Sequence, residues 1–200
     1  EKALTQHPND TRIIFDLAQA YFTRQTYEKV VELLPRFNKL VPDDLLALEL
    51  LGDAQVCLSL YRDAFKTYEQ IIAVKADDKK ILVKIANCHR ELGEVSAARR
   101  FASKALVVDG KYGAAYMALG QIYETCVDKC VAQKGKIEFD DKLVYELAYF
   151  QYEKALQDLA TRTEARQRLK FLEASVPNKE DRFMNKGKAK AAGPCYQWIY

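Results

Sequence analysis

Apolar positions between residues 11 and 112 recur with a helical period, and that pattern itself repeats every 34 residues. The segments Thr11–Asp44, Leu45–Asp78 and Lys79–Tyr112 align end to end without a gap. Each carries an aliphatic residue at the seventh place (Leu17, Leu51, Ile85) and a small one at the eighth (Ala18, Gly52, Ala86). Such a period predicts a helix, a turn and a second helix per unit. Two antiparallel helices expose apolar flanks that only a neighbouring unit can cover. Small residues let the backbones approach, and larger ones fill the remaining gaps at interior density.

A fourth unit begins at Gly113, with Tyr116, Leu119, Gly120 and Tyr123 at places 4, 7, 8 and 11. Its second helix arrives late. Ala148, Tyr152 and Ala155 stand where places 20, 24 and 27 belong, so about 16 residues are inserted, near Cys126–Asp141. We expect them to lengthen both helices about equally. Val127, Cys130 and Val131 continue one apolar stripe, and Leu143, Val144 and Leu147 the other. Gly135 marks the turn and Asp140 or Asp141 caps the returning helix. Residues 1–10 read as the end of a preceding second helix, with Ala3 at place 27 and Pro8 at place 32. The chain then reads as a piece of a longer array.

The 34-residue pattern resembles the tetratricopeptide repeat (TPR). The second segment carries the family residues at Leu48, Leu51, Gly52, Ala64 and Tyr68. The third carries them at Leu82, Ile85, Ala86, Leu92, Gly93, Ala98 and Ala105, and the first at Ile14, Leu17, Ala18, Tyr21 and Pro42. Val30 and Phe37 depart from the family's small residues, so the second helix of the first repeat is expected to stand off slightly. The resemblance implies an all-α fold, a right-handed superhelix of antiparallel helix pairs. The expected organisation is 1–10, end of a preceding repeat; 11–44, 45–78 and 79–112, three repeats; and 113–162, a fourth repeat with the insertion. A capping helix at 163–175, with Ala165, Leu169 and Leu172 on one face, and an irregular tail at 176–200 follow.

Composition narrows the function classes. Lys and Arg number 31 against 28 Asp and Glu. The excess sits in the tail, where Lys179, Arg182, Lys186, Lys188 and Lys190 face only Glu180 and Asp181. A neutral body argues against nucleic-acid binding, which needs a basic footprint. No apolar run reaches transmembrane length, so no membrane insertion is expected of this segment. Cys57, Cys88, Cys126, Cys130 and Cys195 show no CxxC spacing and are read as free thiols. No catalytic constellation, cofactor loop or four-ligand metal set is legible; the chain reads as a noncatalytic protein without cofactor or metal.

In the TPR family, the first helix of each repeat lines a concave groove. That implies a groove built from Arg12, Phe15, Asp16, Gln19 and Phe22, then Glu49, Leu50 and Asp53, then Lys80, Lys84, Asn87 and Arg90, then Met117 and Gln121. Lys80, Lys84 and Arg90 could hold a carboxylate, with Asn87 gripping backbone amides. The chaperone-tail clamp known in some TPR domains is not reproduced, because Phe15 and Val83 stand where its lysines would be. The ending Pro177, Lys179, Glu180, Asp181, Phe183 followed by Trp198 resembles that of TPR proteins from Bacteroidetes-type bacteria. It leaves a cytoplasmic and an envelope (periplasmic) location both open.

Two functions follow. The first is an interaction scaffold that takes a protein or peptide ligand in the groove. The second is an assembly module whose groove or cap is filled by its own tail or that of another copy, a form of self-association. The tail itself, with Phe183, Tyr196, Trp198 and Ile199, is expected to dock, preferentially on the capping helix near Leu169 and Leu172.

Overall fold

The computed structural model describes residues 2–200; Glu1 and the side chain of Ala3, and with it the place-27 reading of Ala3, lie outside the described residues. It falls into two compact units, one ending at Leu92 and the other spanning Gly93–Tyr200.

The first unit contains α1 (Lys2–Gln6), α2 (Thr11–Thr23), α3 (Tyr27–Leu40), α4 (Leu45–Cys57), α5 (Tyr61–Val74) and α6 (Lys79–Glu91). No strand occurs among the described residues. The helix starts follow from capping. Asp10, Asp44 and Asp78, spaced by one repeat, accept hydrogen bonds from the amides of Ile13, Ala47 and Ile81 at 3.1, 2.9 and 3.2 Å. Each cap satisfies an amide that the first helical turn leaves unpaired. The reversals between paired helices also recur. Gln25 and Ser59 take left-handed φ of 58° and 59° at the same place in their repeats.

Packing explains the residue at place 8. In α4 a β-carbon added to Gly52 would lie 2.8 Å from Cδ1 and Cζ of the Tyr68 ring on α5. The glycine makes room for the aromatic residue at place 24. In the first repeat Ala18 shares a core cluster with Leu34, which occupies place 24 there. Val30 and Phe37 are both buried, and Phe37 lies 5.6 Å from the Phe15 ring. The bulkier residues are thus inside the core of the first repeat.

The second unit contains α7 (Val95–Val108), α8 (Gly113–Lys134), α9 (Phe139–Ala155), α10 (Arg162–Leu172), α11 (Lys179–Met184) and a short 3-10 turn, Pro194–Tyr196. Gly93, at the place held by Gln25 and Ser59, has φ 80°. The lengthening is unequal. α8 has 22 residues where α2, α4 and α6 have 13. The returning helix gains six residues at its front, since it begins at Phe139 where place 17 would be Tyr145. Gly135 closes α8 in the left-handed conformation, φ 75°. The N-cap of α9 is Glu138, not Asp140 or Asp141; both lie inside the first turn, where Asp141 completes a capping box from the third helical position.

α8 also lacks the aspartate that caps its predecessors. Tyr112 stands at the cap, and the amide of Gly113 instead donates to Asp158 Oδ2 at 2.9 Å, across the fold. Gly120 repeats the arrangement at Gly52: an added β-carbon would lie 2.5 Å from the Tyr152 ring.

The tail is more ordered than its composition suggests, with α11 and the 3-10 turn inside the segment expected to be irregular. Its last residues dock on α8 rather than on the capping helix, while Phe183, also expected to dock, stays 65% exposed. Ala191, Tyr196 and Ile199 are buried in the core cluster that includes Tyr123, Cys126, Val127 and Cys130 of α8. The lengthened α8 offers a wide apolar flank there. Cys130 and Cys195 form a disulfide, with α-carbons 6.1 Å apart. That corrects the reading of both as free thiols; Cys57, Cys88 and Cys126 are free. The expectation failed because the partners are 65 residues apart and meet only when the tail folds back on α8.

Candidate functional site

The candidate groove residues of the first unit fall on three first helices, α2, α4 and α6. On α2, Arg12, Asp16 and Gln19 are exposed, while Phe15 and Phe22 are half-buried against the core. The Phe22 ring meets Tyr27 edge-on at 5.3 Å. On α4, Leu50 is half-buried and Leu46, one turn earlier, is 69% exposed. Apolar surface is therefore available on this face, flanked by carboxylates.

Charges on α4 and α6 are paired with one another. Lys84 Nζ lies 2.8 Å from Glu49 Oε1 and 2.5 Å from Asp53 Oδ1. Lys80 Nζ lies 2.6 Å from the same Glu49 oxygen. Asp53 also accepts the Tyr68 hydroxyl at 2.6 Å. Partial burial pushes the Glu49 carboxyl upward, but hydrogen bonds from Lys80 and Lys84 outweigh it and hold its pKa below the ordinary value. Burial, then the bond to Asp53, pushes the Tyr68 phenol well above its usual range. The two lysines expected to hold a ligand carboxylate are thus neutralised within the chain. Further along α6, Arg90 bonds Glu91 at 2.7 Å. Asn87 Oδ1 and Arg90 Nε are buried without a hydrogen-bond partner.

The corresponding face in the second unit is covered. Met117 is buried in the core cluster that also holds Ala165 and Leu172 of α10. Gln121 reaches Glu164 of α10 at 3.5 Å. Glu124, 5% exposed, receives Arg168 at 2.5 Å and the Tyr152 hydroxyl. The capping helix therefore covers the part of α8 that carries the candidate groove residues. Sequence reasoning missed Arg168. Its signal was present, a basic residue one helical turn after Glu164 on the helix expected to cap the array.

No protein-family model matches the chain. The mouse protein Superkiller complex protein 3 is 28% identical over 96 residues, covering 48% of this chain and 6% of that protein. The chain thus spans a small fraction of that relative's length. Among solved structures, MamA superposes with a TM-score of 0.64 at 20% identity, over 82% of this chain and 86% of that one. YrrB, a TPR protein with an unusual peptide-binding site, superposes with a TM-score of 0.58 at 15% identity, over 92% of this chain and 86% of that one. The fold is that of the tetratricopeptide repeat.

Among the described residues no group of three or more His, Cys, Asp or Glu side chains could hold a metal ion. No helix among them is long and apolar enough to cross a membrane. What the first unit presents is a TPR face of first helices on which exposed Leu46 and half-buried Phe15, Phe22 and Leu50 lie between internally balanced charges.

Proposed function

We propose that the chain is a noncatalytic interaction module that takes an extended peptide or protein segment along the face of α2, α4 and α6. The observation that carries this reading is Leu46, a large aliphatic side chain 69% exposed on a face that also offers Phe15 and Leu50. Contact with an apolar side chain of a ligand would remove that surface from water. The peptide-binding site of YrrB, on the same fold, adds support. Because Lys80 and Lys84 are already paired, the ligand is bound through apolar and backbone contacts more than through a carboxylate. Met117 and Gln121 stand outside this reading, since α10 engages them.

The test is capture from an array of synthetic peptides by the whole chain and by Leu46→Asp and Gln19→Arg variants, with helicity checked by circular dichroism. The expected result is loss of most captured peptides with helicity retained. An unchanged captured set with both variants would sink the reading. The assembly reading draws its support from the tail, which covers α8; sedimentation of the chain across concentrations distinguishes an intramolecular tail from an exchanged one.

A further inference from the structure

The second unit holds a cluster that the interaction reading leaves unused. Cys130 and Cys195 are bonded, and the free thiol of Cys126 lies one helical turn before Cys130. Cys126 Sγ is 3.4 Å from the Cys195 carbonyl oxygen and accepts the Trp198 indole N–H at 3.3 Å. A cleft of about 400 Å³ opens beside the disulfide, lined by Val95, Cys126, Lys129, Cys130, Pro194 and Cys195. Cys130 is buried, while Cys195 is half-exposed on the tail side. Among the described residues the disulfide is the one covalent cross-link to the tail; its other ties, to α7, α8 and α9, are polar and apolar contacts. The Tyr196 hydroxyl bonds Asp141, and Arg99 bonds the carbonyl oxygens of Trp198 and Ile199 at 3.2 and 2.6 Å. The Trp198 ring stacks on Tyr123 at 5.9 Å.

We propose that the cleft is a thiol–disulfide exchange site for a dithiol reductant, and that exchange there controls whether the tail stays closed over α8. A thiolate of the reductant attacks Sγ of Cys195, the more exposed of the two bonded cysteines that line the cleft. The Cys130–Cys195 bond breaks, the electron pair leaves on Cys130, and Cys130 takes a proton. The second thiol of the reductant then attacks its own sulfur in the mixed disulfide and releases Cys195 as a thiol. The protein disulfide gains two electrons and two protons, and the dithiol becomes a disulfide. Lys129 on the cleft wall carries positive charge to the place where the departing thiolate forms. Cys126 does not compete as an internal attacker. Its burial raises the thiol pKa and keeps it protonated, which leaves the Cys130–Cys195 pairing unshuffled.

Reduction removes the covalent tie while leaving the contacts at Tyr196, Arg99 and Trp198 in place. Tail opening therefore becomes a local equilibrium, and opening uncovers Tyr123, Cys126, Val127 and Cys130 together. The exposed flank is an apolar surface present only in the reduced protein.

The experiment uses the whole chain, purified without reductant, with dithiothreitol as the dithiol. Peptide mapping of the untreated protein is expected to show residues 130 and 195 linked. Reduction is expected to speed amide exchange across 191–199 by about tenfold or more and to raise acrylamide quenching of Trp198, with helicity retained. Cys195→Ser is expected to behave like the reduced protein with and without dithiothreitol. Cys126→Ala is expected to keep the linkage and the response. Unpaired thiols at 130 and 195 in untreated protein would overturn the proposal. So would unchanged exchange at 191–199 after complete reduction, or general loss of helicity on reduction, which would make the disulfide a structural brace.

Discussion

Replacing Gly52 by alanine should destabilise the first unit, although alanine is the better helix former. Intrinsic propensity favours the substitution by about 1 kcal/mol in a helix interior. Against that, the new methyl would sit 2.8 Å from two carbons of the Tyr68 ring and closer still to Cε1. Carbon atoms are at optimal separation near ~3.5–4.0 Å, so the overlap approaches ~1 Å. Tyr68 cannot swing aside cheaply. It is 1% exposed, and its hydroxyl is bound to Asp53. Overpacking of this kind costs about 1–3 kcal/mol, and a clash against a pinned ring belongs at the upper end. The net expectation is a loss of about 2 kcal/mol after the propensity gain. The repeat itself names the compensating change, because Ala18 coexists with Leu34 at these two places. Tyr68→Leu alone should also destabilise, through a lost hydrogen bond to a carboxylate and a cavity. Combined with Gly52→Ala it should cost at least ~1 kcal/mol less than the sum of the two. Urea unfolding of the four proteins, followed by circular dichroism with amide exchange over α4 and α5, measures the cycle. A more stable Gly52→Ala protein, or strictly additive losses, would refute the close approach of α4 to the Tyr68 ring.

The Glu49 carboxyl, held low by Lys80 and Lys84 against its burial, should titrate below the ordinary 4.5 in a carbon-detected NMR experiment. Because the folded value is depressed, its contribution to stability is complete above the unfolded value and is lost as pH falls through the folded one; Lys84→Met should move the midpoint upward. Ser59, exposed and at φ 59°, should accept glycine with a gain of up to ~1 kcal/mol in thermal unfolding, since only glycine adopts that conformation without strain; a lower melting temperature would show that the side chain is needed there. Arg168→Met should leave the Glu124 carboxylate, 5% exposed, without its cation, so exchange across α10 should accelerate and stability should fall by about 3 kcal/mol or more. Unchanged protection of α10 would mean that apolar contacts at Ala165 and Leu172 alone hold the cap.

Sequence alone determined the repeat and what depends on neighbours within it. The starts of α2, α4 and α6 follow from Asp10, Asp44 and Asp78, and the reversals at Gln25, Ser59 and Gly93 follow from the same spacing. Gly52 and Gly120 were legible as close approaches, because place 8 meets place 24 within one repeat. These interactions span short stretches of chain, and a 34-residue period writes each of them several times. Tertiary structure decided everything that happens once and at long range. The charges of Lys80 and Lys84 were visible, but not that Glu49 and Asp53, more than 30 residues earlier, would consume them. Gln121 was visible as a groove residue, but not that Glu164 of α10, 43 residues later, would reach it. The tail was expected to dock, yet its site was set by how far α8 outgrows the other first helices and by where Arg99 and Cys130 come to lie, 100 and 65 residues from their tail partners. A unique contact leaves no repeating trace in the chain, so its partner is known only when the fold has brought the two together.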